Sequence, residues 1–298
     1  MKDCIYVILV NYKNVNMTMD CITSIKQSSY DNYHIVVIDN ASNDGSYSKL
    51  VNEYCNDSYI TIIEARENDG FSAGNNIGID YAIKNGADYI MLLNNDTVID
   101  PLMITLLYSK ASPNTVTLPL MLYYSEPNTI WYAGGEIDYK KGLIKHWGQD
   151  SKDIVKYNKD KKCSFMTGCC ALISTNIINR VGPLDEHYFM YGEDVDYSIR
   201  LQKSGVNMLY VPAAKLWHKV GGSSVSSKLN IYYDTRNKLI LMDKYNFPIY
   251  AKISYRIKIL LLYIRGVLKK NNDIYFKRAY QDYKRGINGK VDLNKIKM

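Results

Sequence analysis

The first hundred residues alternate between short apolar runs and polar stretches of helical length, and this alternation constrains the fold more than any other feature. Apolar strands that are separated by helices are typical of a parallel sheet covered on both faces. The pattern therefore predicts an α/β domain of the nucleotide-binding type. The predicted strands are 4–10, 33–39, 59–65 and 88–94, and the predicted helices are 14–28, 46–55 and 72–85.

The rhythm of the chain changes after residue 113. A strand is predicted at "TVTLPLMLYY" and another in "CSFMTGCCALIS", followed by a short helix that Ser174 caps and Gly182 ends. A helix is predicted at 193–204 and a strand at "NMLYVP". The Gly/Ser-rich stretch 213–227 then reads as a loop, and the pattern from residue 228 onward is helical, basic and aromatic.

The opening of the chain and its cysteines bear on the cellular compartment. The sequence shows no cleavage signature of a signal peptide, and its longest late apolar run, "ILLLYI", is far short of a spanning helix. The six cysteines form no C-x-x-C pair and have no histidine at zinc spacing, which favours reduced thiols. These features predict a cytoplasmic protein.

Positive charge is concentrated at the C-terminal end of the chain. Residues 250–298 contain 13 Lys and Arg against 3 Asp, whereas the rest of the chain carries 24 basic and 27 acidic residues. Basic helices with apolar and aromatic faces are typical of proteins that bind anionic membrane surfaces. Two alternatives stay open: the tail packs back on the domain, or it mediates a homodimer. No nucleic-acid recognition motif accompanies it, so we do not expect nucleic-acid binding.

Polar clusters follow the predicted strands, at the edge where open parallel sheets bind their ligands. Asp39 and Asp96 are the acids closest to two of these strand ends, and a carboxylate there can bind a base, a ribose or a divalent cation. Each acid taken alone is more typical of a turn or a helix cap than of a ligand site. The stretch "NDGFSAGNNIG" spaces Gly70, Gly74 and Gly78 four apart, which allows a helix start to pack closely, but it matches neither the dinucleotide nor the P-loop motif.

A pair of acids opens the helix predicted at 193–204. Asp194 lies in its first turn, where the helix dipole favours an ionised carboxylate suited to general-base work. Asp196 and Arg200, four residues apart, are interpreted as a surface ion pair. His218 follows the next predicted strand, and taken singly it is more typical of a hydrogen-bonded structural histidine than of a ligand.

Together these segments resemble the family 2 glycosyltransferases with a GT-A fold, and among them the bacterial rhamnosyltransferase-like branch of surface-polysaccharide synthesis. The resemblance extends in order from residue 5 to about 240. It is carried by "VILVNYKN", "VIDNASNDGS", "ENDGFSAGNNIG", "LLNNDT", "GCCALIS", "GPLDEHYFMYGEDVDYSIRL", "LWHKVGGSS" and "YYDTRNKL". It implies a Rossmann-like mixed sheet flanked by helices, with a helical basic C-terminal extension.

The resemblance also implies roles for individual residues. Asp194 would be the catalytic base and Glu193 would orient it, while Asp96 and His218 would hold Mg²⁺ or Mn²⁺. The implied donor-binding residues are Asn11, Asp39, Asn40, Gly70, Asn75, Asn95, Asp96 and Arg236. The sequence departs from the family's D-x-D motif at its first position, which is Asn94, so the metal site loses one charge.

The resemblance implies an inverting, metal-assisted transfer from a dTDP-rhamnose or UDP-hexose type of donor to a glycan, lipid-linked or protein acceptor. The implied organisation is a catalytic domain at 1–240, with a nucleotide-sugar half at 1–112 and an acceptor half at 113–240, followed by a tail at 241–298. The expected location is the inner face of the cell membrane, as a peripheral protein. Two alternatives remain: a sugar nucleotidyltransferase, or a catalytically weak protein that binds nucleotide sugars.

Overall fold

A mixed β-sheet flanked by helices forms the centre of the computed structural model, which describes residues 2–220, 227–269 and 273–292. The strands are β1 (Ile5–Asn11), β2 (Tyr33–Asp39), β3 (Ile60–Glu64), β4 (Tyr89–Leu93), β5 (Thr97–Ile99), β6 (Thr115–Tyr123), β7 (Ile130–Tyr132), β8 (Gly135–Asp138), β9 (Leu143–His146), β10 (Lys161–Cys163), β11 (Cys170–Ser174) and β12 (Asn207–His218). The helices are α1 (Val15–Ile25), α2 (Ser46–Tyr54), α3 (Phe71–Lys84), α4 (Met103–Lys110), α5 (Thr175–Val181), α6 (Glu193–Lys203), α7 (Ser227–Lys244), α8 (Ile249–Lys269) and α9 (Asp273–Lys284).

The N-terminal strands form the parallel sheet that the apolar pattern predicts. Their order is β3-β2-β1-β4, and each neighbouring pair among them is parallel. The side chains of β1 and β4 are almost entirely buried, which is why these strands read as unbroken apolar runs. Successive strands are added on one side of β1 and then on the other, so a crevice opens at the carboxyl ends of β1 and β4.

The second half of the chain extends this sheet with antiparallel and parallel partners. β11 pairs antiparallel with β4, and β6 then lies between β11 and β12 in the order β12-β6-β11-β4. The predicted loop at 213–227 is wrong over its first part. β12 continues to His218 because residues 215–218 pair with β6 and residues 216–218 with β5. Residues 221–226 of that predicted loop lie outside the described chain.

The predictions about the ends of helix α5 and about the Asp196–Arg200 ion pair on α6 have different outcomes. Ser174 caps α5 through a hydrogen bond from the Ile177 amide to its hydroxyl, and Gly182 ends the helix, as predicted. Asp196, in contrast, is not a surface residue: its side chain is fully buried. It forms ion pairs with both Arg200 and Lys244, at 2.8 and 2.6 Å. The sequence pattern missed Lys244 because it comes from the distant helix α7.

The C-terminal helices pack on the domain and on one another. α9 lies against both α7 and α8, and the boundary predicted at residue 240 falls inside α7. Over the described residues, no helix is both long enough and apolar enough to span a membrane. The cysteines are all free thiols, as predicted, and burial raises the pKa of the Cys21 thiol to about 12.

The glycines of α3 allow this helix to lie directly on β1. A Cβ atom at Gly78 would lie 2.5 Å from Cγ2 of Ile8, and one at Gly74 would lie 2.9 Å from Cγ1 of Val10. Both distances are well inside van der Waals contact, so the close helix–strand approach needs residues without side chains.

We expect Gly78→Ala to destabilise the protein by about 1–3 kcal/mol, although alanine is the better helix former. The added methyl group collides with the buried Ile8, and the strand cannot move without disturbing the sheet. Chemical denaturation measures the free energy of unfolding. Asp80→Ala on the exposed side of the same helix is the control and should change it by less than about 0.5 kcal/mol. Equal stability of Gly78→Ala and the wild type would contradict the packing argument.

Candidate active site

A large cavity opens at the carboxyl ends of β1 and β4, where the strand order predicts a ligand site. Its volume is about 1210 Å³. The walls combine three parts of the chain: the loops after β1, β2 and β3 with the start of α3, the end of β4, and segments around α6, α7 and α9. The lining residues are Val10, Tyr12, Lys13, Asn14, Asn40, Asn68, Gly70, Phe71, Leu93, Asn94, Asn95, Asp96, Phe189, Met190, Lys228, Leu229, Tyr233, Tyr275, Lys290, Val291 and Asp292.

A buried hydrogen-bond network supports the cavity at the ends of β1 and β2. Asn11 donates to the Asp39 carboxylate at 2.7 Å and accepts from the Thr18 hydroxyl at 2.8 Å. The Asp39 carboxylate also accepts from the hydroxyl and the amide of Ser42. Asn11 and Asp39 have no exposed surface and do not line the cavity. In this conformation they hold the loop after β2 in place, while Asn40 forms part of the wall.

Gly70 lets two distant segments meet at the cavity wall. Its φ is +97°, and a Cβ atom there would lie only 2.0 Å from the carbonyl oxygen of Phe189. The same oxygen accepts a hydrogen bond from the amide of Phe71 at 2.9 Å. Gly70 is therefore required by both its backbone conformation and this contact. It brings the start of α3 against the segment that precedes Glu193 and Asp194.

Asp96 and His218 lie side by side at the end of the sheet, although they are far apart in the sequence. The antiparallel pairing of β5 with β12 places His218 opposite Thr97. The His218 Nε2 atom is 3.1 Å from Asp96 Oδ1. The imidazole packs edge-on against Trp131, with 4.5 Å between ring centroids. Asn94 and Asn95 lie beside Asp96 on the cavity wall, as the motif "LLNNDT" predicts.

This pair has the chemistry of a partial cation site. Apart from the His218 Nε2 atom beside it, the buried Asp96 Oδ1 has no polar partner among the described residues. A carboxylate oxygen and an imidazole nitrogen are common ligands of Mn²⁺ and related ions. Within the described residues no group of three His, Cys, Asp or Glu side chains converges on one point. The remaining positions around a cation would thus be left to water and to oxygens of a ligand in the cavity.

The acids Glu193 and Asp194 begin α6 behind the cavity wall. The Asp194 carboxylate accepts from the amide of Val195 at 2.8 Å and from that of Gly168 at 3.3 Å. A Cβ atom at Gly168 would lie 3.2 Å from the ring of Phe71, which lines the cavity. Asp194 itself does not line it. Glu193 is buried, whereas Asp194 keeps some exposed surface, so of the two acids Asp194 is the more accessible beside the cavity.

Burial, rather than the helix dipole, controls the ionisation of these two acids. Desolvation raises the pKa of Asp194 to about 6. Desolvation, together with the neighbouring Asp194, raises the pKa of Glu193 to about 8. Backbone amides, including that of Val195 at the helix start, lower the pKa of Asp194 in the direction that the sequence analysis predicts for the helix N-terminus, but desolvation is the larger effect. The buried Glu193 Oε2 has no hydrogen-bond partner in the part of the chain that the structure describes, which also favours the protonated form of this side chain.

Two predicted donor-binding residues are turned away from the cavity. Arg236 is fully buried among the C-terminal helices, and its guanidinium donates to the carbonyl oxygen of Gly289 and to Asn237. Asn75 is buried inside α3 and donates to the carbonyl oxygen of Phe71. A direct contact of either side chain with a ligand in the cavity is not supported by this geometry. A local sequence motif does not reveal which side of a helix its polar residues occupy.

Several residues of the site were not found by sequence reasoning. Lys228, at the end of the predicted catalytic domain, lines the cavity, and so do Tyr275, Lys290 and Asp292, which belong to the tail for which membrane binding was the favoured prediction. Asp234, on the exposed side of α7, raises the pKa of Asp194 by charge repulsion. The motif "YYDTRNKL" contains Asp234 and could have pointed to it, whereas no local signal marks Lys290 or Asp292.

Comparison with solved structures shows the fold. GalNAc-T7, solved with UDP, GalNAc and Mn²⁺, aligns with a TM-score of 0.65 at 17% identity over 80% of this chain, which spans only 47% of that longer chain. The mannosyltransferase PcManGT of Pyrobaculum calidifontis, in complex with GDP-Man and Mn²⁺, aligns with a TM-score of 0.59 at 13% identity over 95% and 88% of the two chains. The predicted GT-A fold is confirmed.

Comparison with known sequences shows the family. The dTDP-rhamnosyl transferase RfbF of Shigella flexneri is 25% identical over 97% of this chain and 98% of its own length. The low-salt glycan biosynthesis hexosyltransferase Agl10 of Haloferax volcanii is 25% identical over 80% and 76%, and the rhamnosyltransferase WbbL of Escherichia coli is 25% identical over 72% and 83%. The family model "Glycosyl transferase family 2" matches residues 6–182. This chain therefore belongs to glycosyl transferase family 2 and is a glycosyltransferase, not a sugar nucleotidyltransferase.

Proposed function

We propose that the enzyme transfers rhamnose or another hexose from a nucleoside diphosphate to a hydroxyl group of a glycan or lipid-linked acceptor, with inversion at the anomeric carbon. The observation that carries this proposal is the Asp96–His218 pair beside the cavity at the strand switch point. The names of the relatives favour a dTDP-rhamnose or a related donor. We expect residues 1–112 to bind the donor and residues 113–240 to bind the acceptor.

A single displacement needs one group that takes the acceptor proton and one device that stabilises the leaving diphosphate. Asp194 is the proposed base: it removes the proton of the acceptor hydroxyl, whose oxygen attacks the anomeric carbon as the bond to the diphosphate breaks. Its raised pKa brings its basicity closer to neutral pH. Glu193, held mostly protonated beside it, would orient the acceptor through a hydrogen bond.

A divalent cation is the proposed aid to the leaving group. Asp96 and His218 would hold Mg²⁺ or Mn²⁺, and such a cation stabilises the negative charge that develops on a departing diphosphate. The structural neighbours solved with Mn²⁺ support this assignment. Asn94 supplies a neutral amide at the first position of the motif, so the site would bind the cation with one charge fewer than a pair of aspartates.

The outward face of α8 supports a peripheral location on an anionic membrane. Eight large apolar residues are exposed on this helix, and we call them the outer stripe: Ile249, Tyr250, Ile253, Ile257, Leu260, Leu261, Ile264 and Val267. An apolar groove of about 490 Å³ between α8 and α9 continues the stripe past Ile253, Ile257 and Leu260. Such a face needs a cover of hydrocarbon or protein.

Charge favours the membrane over a second copy of the chain. α8 contains five basic residues and no acidic one, and among its described side chains Lys252 is the one that forms an ion pair, with Asp243. A dimer built on two outer stripes would bring these like charges together, whereas anionic lipids would neutralise them. The stripe and its basic flanks match the pattern of helices that lie in the membrane interface.

We expect Asp194→Asn to lower the transfer rate by about 10²–10⁴-fold while the donor nucleotide still binds, because only the proton acceptor is lost. Below pH 6 the wild-type rate should fall about tenfold per pH unit, since protonation of Asp194 removes the base. Rates are measured by release of the nucleoside diphosphate. Asp80→Asn on the exposed side of α3 is the control. Full turnover by Asp194→Asn would refute the base assignment.

We expect Asp96→Ala and His218→Ala to abolish the gain in nucleotide affinity that Mn²⁺ provides. Calorimetry with dTDP and UDP, with and without Mn²⁺, measures that gain directly. The exposed Asp20→Ala, on helix α1, removes an acid outside the cavity and should leave the gain intact. A Mn²⁺-dependent affinity that survives both substitutions would show that the cation binds elsewhere or plays no part.

We expect the paired substitution Ile257→Ser with Leu261→Ser to weaken binding to phosphatidylglycerol-containing vesicles by about tenfold or more, because two insertions into hydrocarbon are lost. Vesicle flotation measures the bound fraction, and vesicles of phosphatidylcholine alone test the contribution of charge. Val155→Ser, at an exposed valine outside the C-terminal helices, is the control. Unchanged flotation, or a variant that instead converts a dimer to a monomer, would contradict the membrane assignment.

A further inference from the structure

The chain returns to the donor cavity after its last helix. Residues 285–292, which we call the C-terminal strap, follow α9 and run along the cavity, where Lys290, Val291 and Asp292 form part of the wall. Two amides of the strap bind segments beyond α9: the Gly289 amide donates to the carbonyl oxygen of His187 at 2.8 Å, and the Val291 amide donates to the Tyr233 hydroxyl at 2.9 Å. The strap is thus hydrogen-bonded to the segment that precedes α6 and to α7.

A buried arginine, Arg236, forms a further hydrogen bond to the strap. The Arg236 guanidinium has no exposed surface and donates to the carbonyl oxygen of Gly289 at 2.9 Å. It lies 5.3 and 5.0 Å from the ring centroids of Tyr232 and Tyr233. Burying a guanidinium is costly unless its donors are satisfied, and here one of them is used on the backbone of the strap. The charge of Arg236 therefore serves to fix this segment rather than to meet a ligand.

The strap brings one lysine and one carboxylate to the cavity, so it adds a cation without changing the net charge of the lining. The lysines that line it are Lys13 from the loop after β1, Lys228 from the start of α7 and Lys290 from the strap. The lining carboxylates are Asp96, which has His218 beside it, and Asp292. A nucleoside diphosphate is an anion, and lysine recognises phosphate groups as a mobile point charge. Two of the three lysines that could meet it come from the C-terminal part of the chain.

We propose that the C-terminal strap is part of the donor site, with Lys290 as a residue that binds the donor diphosphate and Arg236 as the positioning residue that fixes the strap. The proposal rests on the proposed function only in taking a nucleoside diphosphate as the ligand. It assigns to residues 285–292 a role in substrate binding that is separate from membrane docking by α8.

Lys290→Gln tests the binding role, and Lys284→Gln is the matched control because Lys284 is an exposed lysine that does not line the cavity. Calorimetry with dTDP, UDP and GDP in the presence of Mn²⁺ measures the dissociation constants. We expect Lys290→Gln to raise the dissociation constant of the nucleotide that binds best by about tenfold and to make it less dependent on salt. The corresponding monophosphate should be affected less, and Lys284→Gln should match the wild type.

Tyr233→Phe tests the positioning of the strap without removing a buried charge. It deletes the hydroxyl that accepts from the Val291 amide, so hydrogen exchange of residues 288–292 should become faster in the free protein. In the wild type, addition of the nucleotide should slow the same exchange. Arg236→Lys keeps the charge but loses the planar geometry, and it should speed exchange in the strap while leaving exchange in β1–β4 unchanged.

Three outcomes separate the proposals. If the wild type binds none of the three nucleotides, both the proposed function and the strap proposal fail. If it binds one and Lys290→Gln binds it equally well, with no slowing of exchange at 288–292, the strap proposal alone is overturned. A weaker affinity in Lys290→Gln, with ligand-dependent protection of the strap in the wild type, supports it.

Discussion

The pairing of the short strand β5 with the end of β12 is the contact on which the candidate site depends. It involves only residues 97–99 and 216–218, yet it brings His218 to 3.1 Å from Asp96. Because β12 also pairs with β6 over the same residues, the imidazole is carried by a rigid part of the sheet. Backbone hydrogen bonds between strands therefore determine where Asp96 and His218 lie.

The sequence predicted structural elements correctly where a single local pattern determines the element. The parallel strands at the N-terminus were predictable because their burial on both faces leaves an unbroken apolar run, and Ser174 and Gly182 mark the ends of α5. The proximity of Asp96 to His218 was foreseen only through the family resemblance, since no spacing rule connects them. The extension of β12 was missed because its last residues are stabilised by partners on β5 and β6 rather than by their own apolar pattern.

The errors at charged and polar residues share a physical origin. Asp196 was assigned to the surface from its spacing to Arg200, and Asn75 and Arg236 were assigned to the ligand through the family resemblance, but each is buried and satisfied by hydrogen bonds. At Asp194, the helix dipole favours ionisation while desolvation opposes it, and desolvation is the larger effect. Burial is a property of the assembled fold, so the net effect on a carboxylate cannot be obtained from its position in a helix alone.

The close contact at Gly70 links the two halves of the enzyme. The Phe71 amide and the Phe189 carbonyl are hydrogen-bonded, and there is no room for a side chain between the segments. Phe71 lines the donor cavity, whereas Phe189 lies only a few residues before Glu193 and Asp194. A nucleotide that shifts one segment must therefore shift the other. In the proposed enzyme, binding of the donor would therefore also affect the position of Asp194, the proposed base for the acceptor.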